Sequence, residues 1–151
     1  MSNLMTHMRE SAEAGSVDAQ FNLGVLLGNG FDDKGRFVGA KREEAILWLR
    51  KAADRGLSRA QSKLAQTYAD GDAPTDIEHA CAWYLVAMEN TDGGGGRQGA
   101  CDAYEKIARR LSPEQLDWAR TNSQAWIKKI HSENSIQIKE RSLMPLRKRR
   151  A

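Results

Sequence analysis

The sequence predicts an all-α protein, a solenoid of stacked antiparallel helix pairs with a capping helix at each end. Two internal repeats carry this prediction. The motif A-[ED]-x-G at residues 12–15 recurs 41 residues later at 53–56, and the motif A-x-x-W at residues 45–48 returns 35 residues later at 80–83. A period of this size is typical of helical hairpins that cannot bury their apolar faces alone. Stacks of such hairpins form extended surfaces that usually hold another molecule.

Apolar residues in each copy recur three and four residues apart, which is the spacing of one helical face. The first copy therefore predicts helices over residues 17–28 and 40–55, and the second copy predicts helices over residues 58–69 and 76–89. Small residues at matched positions indicate that helix backbones approach closely, while a tryptophan in each copy fills the space between neighbouring hairpins. The matched small residues are Ala19, Gly24, Ala45, Ala52, Ala60, Ala65, Ala80 and Ala87, and the matched tryptophans are Trp48 and Trp83.

Capping residues and glycines mark the helix ends. Ser16 or Asp18 can accept hydrogen bonds from the free amides that begin the first helix. Gly28 and Gly30 end that helix, and Gly56 ends the next one, because glycine adopts the left-handed backbone conformation at little cost. These positions predict where the chain turns between helices.

Further helices are predicted to close both ends of the stack. Residues 8–15 align with the second helix of a repeat. Residues 99–108 supply a helix equivalent to the first helix of each repeat. Ser112 then begins a closing helix, with a proline in its first turn and Gln115 in the capping-box position. The apolar stripe of this closing helix is Leu116, Ala119, Trp126 and Ile130.

Positive charge is concentrated at the C-terminal end of the chain. The segment 139–151 has six basic residues and one acidic residue, a net charge of +5, whereas the whole chain carries +3. Residues 1–138 therefore sum to −2, so the sequence pI of about 9.0 is a property of the tail. The sequence beyond His131 is polar and then basic, which favours flexible chain. We expect one solenoid domain over residues 1–130 and a basic, disordered tail over residues 131–151.

The two copies share the pattern A-x-x-G-x-x-x-A-x-x-x-L-G, a glycine-containing loop and A-x-x-W-[YL]-x-x-A-A. This pattern resembles the Sel-1-like repeat (SLR), a relative of the tetratricopeptide repeat, and the segment from Arg110 to Trp126 is similar to the closing helix of many bacterial members. The resemblance covers about residues 8–130. It implies a right-handed superhelix that serves as an adaptor for protein complexes. The first copy carries the pattern at Ala12, Gly15, Ala19, Leu23, Gly24, Gly28, Gly30, Ala45, Trp48, Leu49, Ala52 and Ala53, and the second at Ala53, Gly56, Ala60, Leu64, Ala65, Tyr68, Gly71, Ala80, Trp83, Tyr84 and Ala87.

The sequence favours no catalytic site. Some cysteine-rich bacterial relatives are reported to bind or hydrolyse β-lactams, but Cys81 and Cys101 do not reproduce their cysteine pairing, and no S-x-x-K arrangement of nucleophile and base occurs. Buried apolar packing is the favoured role of these cysteines, with a bridge between them left open. The histidines lack the spacing of metal ligands, and the glycine-rich run at 93–99 lacks the ending of a phosphate loop. We expect no enzymatic activity, no metal and no cofactor, with a hydrolase as the weakest hypothesis.

The first helix of each pair lines the concave face in the family that the chain resembles, so we expect a protein or peptide partner there. The residues predicted to contact it face away from the packed positions. They differ in charge between the copies while the scaffold positions agree, as a shared scaffold with a varied surface would show. These residues are Asp18, Asn22, Val25 and Asn29 on the first helix and Arg59, Lys63, Gln66 and Asp70 on its equivalent.

The alternative function is a regulator that contacts nucleic acid, an acidic protein or an anionic membrane through the basic residues 145–150. No aromatic residue is interleaved with these charges to stack on bases, which disfavours nucleic acid as the partner. No apolar run reaches the length of a membrane span, and the N-terminus lacks the features of a secretory signal. We therefore expect a cytoplasmic protein.

Overall fold

The structure, a computed structural model, describes residues 4–32, 34–71, 73–90 and 97–143. Helices make up most of these residues, and no β-strand occurs among them, only an isolated antiparallel bridge between Phe31 and Phe37. The predicted all-α class is confirmed. The helices are α1 (Leu4–Glu13), α2 (Val17–Asn29), α3 (Arg42–Asp54), α4 (Ser58–Ala69), α5 (Pro74–Glu89), α6 (Arg97–Ala108) and α7 (Pro113–Leu143).

Helices α2 and α3 form one hairpin, and α4 and α5 form the next. In the first hairpin Gly24 lies against Leu49 and Gly28 lies against Ala45, so the two helices run antiparallel. The backbone amide at the start of α3 donates to the carbonyl of Leu27 near the end of α2 over 2.9 Å. Helix α1 packs on α2, and α3 packs on α4, so the stack continues from the N-terminal cap into the second hairpin.

The buried core follows the matched positions of the two copies. Leu23 and Leu64 hold equivalent places in α2 and α4 and are fully buried, and Trp83 is also fully buried. Trp48, its counterpart in the first hairpin, is 8% exposed. Small side chains fill most other core positions, so the helix backbones can approach closely and pack densely. The buried alanines that the sequence predicted are Ala19, Ala45, Ala52, Ala60, Ala65, Ala80 and Ala87.

Most of the predicted helix ends are observed, but Gly28 does not end α2, because the helix continues through it to Asn29 and Gly30 is the glycine with the left-handed backbone. Ser16 is the N-cap of α2, where its hydroxyl accepts a hydrogen bond over 3.3 Å from the amide three residues on. Gly30 and Gly56 follow α2 and α3 with φ values of +88° and +92°, which glycine adopts more readily than other residues. At the start of α7, the backbone N–H of Gln115 donates to the Ser112 hydroxyl, and the side-chain Oε1 of Gln115 accepts from the backbone N–H of Ser112. These two bonds form a complete capping box.

The last two helices depart from the hairpin pattern. Among the described residues, α6 and α7 both pack against α5 and not extensively against each other. Helix α7 runs beside α5 in the same direction, since Trp118 lies near His79 and Trp126 stacks on Trp83. Side chains of α7 also reach Gly56, just beyond the end of α3. The closing helix therefore covers α5 and the end of α3 together.

Helix α7 is longer than the sequence predicted. We expected the solenoid to end at residue 130 and the disordered tail to begin at residue 131, but α7 continues as a helix to Leu143. Residues 131–143 contain no glycine or proline that would break the helix, and Asn134 packs over Gly56, where there is no side chain to exclude it. The helix therefore continues beyond residue 131, at which the sequence predicted the tail to begin. The most basic residues, 147–150, lie outside the described residues.

Candidate partner-binding surface

The eight residues predicted to bind a partner form two stripes, one on α2 and one on α4. Within each stripe the residues are three or four positions apart, so they share one helical face. Six of the eight are exposed, whereas Val25 and Lys63 are half-buried. Val25 packs at the edge of the core. The α2 stripe is Asp18, Asn22, Val25 and Asn29, and the α4 stripe is Arg59, Lys63, Gln66 and Asp70.

Asp18 and Arg59 join the two stripes. Nη2 of Arg59 lies 3.5 Å from Oδ1 of Asp18, and the two residues hold equivalent positions in the two copies. The Arg59 guanidinium also lies 5.1 Å from the ring centre of Phe21. The side chains of Arg59 and Asp18 are 54% and 77% exposed, so their ion pair contributes little to stability. Their charges are instead presented to solvent, at a point where α2 and α4 lie side by side.

Phe21 is a surface residue that the sequence prediction left out. It is half-buried, and its equivalent in the second copy is Ser62. The sequence does contain a sign of this residue, because an aromatic side chain stands in one copy where the other copy has serine. Aromatic and arginine side chains are the types enriched at protein interfaces. The two stripes together with Phe21 are called the first-helix surface below.

Residues of catalytic or metal-binding type are dispersed in the part of the chain that the structure describes. No group of three or more His, Cys, Asp or Glu side chains is placed there to hold a metal ion. His79 packs against the rings of Tyr68 and Trp118, with centroid distances of 5.0 and 4.9 Å. Cys81 and Cys101 are free thiols. Burial raises the pKa of the Cys81 thiol to about 11, so Cys81 is protonated at neutral pH and is a poor nucleophile.

A family model described as the Sel1 repeat matches residues 17–57 and 58–92. The chain belongs to the Sel1 repeat family. The two matched segments contain the hairpins α2–α3 and α4–α5, so the repeat that the sequence predicted is confirmed. Sel1 repeats are generally protein-interaction modules, which agrees with an adaptor role in its general form.

The fold is similar to a solved structure, described as the crystal structure of c5321, a protective antigen present in uropathogenic Escherichia coli strains displaying an SLR fold. The TM-score is 0.69 and the sequence identity is 29% over 93% of this chain. The chain spans only 28% of the length of that protein. This likeness confirms the SLR solenoid fold.

No curated protein sequence matches the chain. None of the helices in the described ranges is both long enough and apolar enough to cross a membrane.

Proposed function

We propose that the protein is a non-catalytic adaptor that binds a protein or peptide on the first-helix surface, at the concave side of the solenoid. The division of positions within the two repeats carries this proposal. Matched positions such as Leu23 and Leu64 are buried, whereas positions that differ in charge, such as Asp18 and Arg59, are exposed on adjoining helices. Repeat proteins use extended concave surfaces of this kind to bind their partners.

The first-helix surface offers amides, charges and an aromatic ring. Asn22, Asn29 and Gln66 present side-chain amides, which both donate and accept hydrogen bonds. Lys63 donates to Oε1 of Gln66 over 3.4 Å, and Phe21 adds a partly apolar patch. This mixture suits a polypeptide segment with polar and charged side chains better than a small apolar ligand, for which pockets are usually concave and lined by apolar groups.

Affinity capture from the native host tests this placement. The full chain with Arg59→Glu and Lys63→Glu reverses two charges on α4, and we expect it to lose most of the partner that the unchanged chain recovers, measured by quantitative mass spectrometry. The matched control is Lys41→Glu with Lys129→Glu, which changes the net charge equally at exposed sites outside the first-helix surface. Equal recovery of the partner by all three chains would contradict the proposal.

The same capture experiment separates this function from the alternative that relies on the basic C-terminal residues. A chain that ends at Leu143 lacks residues 144–151, which lie outside the described residues. If the basic residues make the contact, this shortened chain loses the partner and the Arg59→Glu/Lys63→Glu variant keeps it. The opposite pattern supports the first-helix surface. A cytoplasmic location stays a prediction, and the free thiols of Cys81 and Cys101 agree with it.

A further inference from the structure

A groove with a volume of about 410 Å³ lies between α5 and α7. Its apolar lining is formed by Leu85 and Met88 of α5 and by Ile127 of α7, each of them half-buried. Helices α3 and α5 each pair with the helix before them in a hairpin. Helix α7 does not pair in this way with α6, because α6 packs on α5 instead. Apolar side chains of α5 and α7 therefore remain accessible beside the closing helix.

Basic side chains stand along the α7 wall of this groove. Arg120 and Lys128 both line it and are exposed. They are eight positions apart on one helix, which is about 12 Å along the axis at about 1.5 Å per residue. Glu89 is the acidic residue among the described residues that line the groove. The lining therefore combines half-buried apolar side chains with exposed charged side chains that sum to a positive charge.

We propose that this groove, hereafter the α5–α7 groove, binds an acidic amphipathic helix of a partner protein. Apolar side chains of that helix pack on Leu85, Met88 and Ile127, and two acidic side chains about two turns apart lie beside Arg120 and Lys128. An apolar helix face that enters an apolar groove is a common mode of peptide recognition, and opposite charges at the rim set its orientation and partner choice. The groove is separate from the first-helix surface, so it adds a second docking site.

Titration with a designed peptide tests this proposal directly. The probe is a capped, fluorescein-labelled, alanine-rich peptide of about 15 residues, a length at which such helices begin to be populated in water. It carries two glutamates eight positions apart with two leucines between them, and the control peptide has lysines in place of the glutamates. We expect saturable binding of the acidic peptide to the full chain by fluorescence anisotropy at low salt, and binding of the lysine peptide that is weaker by about tenfold.

Charge variants of the groove give effects of opposite sign. Arg120→Gln and Lys128→Gln are each expected to weaken binding of the acidic peptide by about threefold, which is the usual scale for an exposed charge pair. Glu89→Gln is expected to tighten binding by about twofold because it removes a like charge. The Arg59→Glu/Lys63→Glu variant is the control on the first-helix surface and is expected to bind the peptide as the unchanged chain does.

The proposal is overturned if the acidic peptide does not bind, if both peptides bind equally, or if the three groove variants leave the affinity unchanged. Thermal unfolding followed by circular dichroism shows whether a weakened variant is still folded. The expected gain of affinity in Glu89→Gln keeps the test decisive, since misfolding does not tighten binding. The two experiments can give different answers. If the acidic peptide binds and the Arg59→Glu/Lys63→Glu variant still captures its partner, the α5–α7 groove is supported and the proposed function is contradicted.

Discussion

Trp83 of α5 and Trp126 of α7 stack with their ring centres 4.8 Å apart and their planes inclined by 24°. The guanidinium of Arg50 on α3 lies 4.8 Å from the first ring centre and 5.1 Å from the second. Stacked aromatic pairs and cations over aromatic faces both stabilise a fold beyond the area that they bury. This one cluster therefore joins α3 and α5, the second helices of the two hairpins, to the closing helix α7. Helix α7 thus covers the aromatic face of α5, which would otherwise be open at the end of the array.

Removing the α7 ring should destabilise the whole stack. We expect Trp126→Ala to lower the free energy of unfolding by about 3 kcal/mol, the usual scale for deleting a packed aromatic side chain, measured by urea denaturation. The control on the same helix is Ile136→Ala, because Ile136 is 55% exposed and should change stability by less than about 0.5 kcal/mol. Equal losses in the two variants would mean that the contacts of the Trp126 ring contribute no more to stability than an exposed side chain does.

Replacement of two glycines in α2 by alanine should change the stability of the protein in opposite directions. A Cβ atom on Gly24 would lie 2.7 Å from Cγ of the buried Leu49, whereas one on Gly28 would lie 3.6 Å from Cβ of Ala45, which is an ordinary contact. We expect Gly24→Ala to destabilise by about 1–2 kcal/mol through overpacking. Gly28→Ala should stabilise by about 0.5–1 kcal/mol through higher helix propensity. Thermal denaturation of the two variants measures both signs, and a shift in the same direction for both would contradict the packing described for this hairpin.

Gln61 is buried and makes hydrogen bonds at both ends of its amide. Its Nε2 donates to the carbonyl of Ala53 over 3.1 Å, and its Oε1 accepts from Nδ2 of Asn90 over 2.7 Å. Gln20, at the matched position, donates in the same way to the carbonyl eight residues before it over 3.1 Å. Its Oε1 is buried and has no hydrogen-bond partner within the described ranges.

This difference predicts that the same substitution, glutamine to methionine, lowers the stability by unequal amounts at the two matched positions. We expect Gln61→Met to lower the free energy of unfolding by about 2 kcal/mol, because it removes two hydrogen bonds of a buried side chain. Gln20→Met should cost less, about 1 kcal/mol, since it removes one hydrogen bond and also an unpaired buried oxygen. Chemical denaturation of both variants gives the comparison. A larger loss in Gln20→Met would show that the Asn90 contact does not contribute.

The buried thiol of Cys81 should make stability depend on alkaline pH. Burial raises its pKa from the ordinary value of 9.0 to about 11, so between these values the folded protein holds the proton more often than the unfolded chain does. Stability is therefore fully present below about pH 9 and declines as the pH rises toward 11. Burial also raises the pKa values of Tyr68 and Tyr84, so their contribution has the same sign at higher pH.

Urea denaturation midpoints of the unchanged chain and of Cys81→Ala, measured from pH 7 to pH 10.5, check this prediction. We expect the unchanged chain to lose more stability than Cys81→Ala over the interval above pH 9, while both retain the loss that the tyrosines cause. Parallel midpoint curves for the two chains would mean that the thiol does not titrate on unfolding as its burial implies.

Much of the fold was predictable because its determinants are local. The capping box at Ser112 and the left-handed glycines at 30 and 56 depend on hydrogen bonds and backbone angles within a few residues, so their positions in the chain are enough to assign them. The exposed stripes of α2 and α4 were also predictable, because helical periodicity separates packed from unpacked positions. Phe21 was missed because the contact with Arg59 joins residues in different repeats.

The sequence by itself determined the repeat unit, the two hairpins, their caps and the identity of the small and aromatic residues that pack them. The tertiary structure decided how the array ends. Helix α6 packs on α5 without pairing with α7, and α7 continues past residue 130 over Gly56. Both outcomes depend on which distant surfaces can bury apolar side chains together, and periodicity along the chain does not specify those surfaces. The α5–α7 groove is a consequence of that packing, which is why it has no counterpart in the sequence pattern.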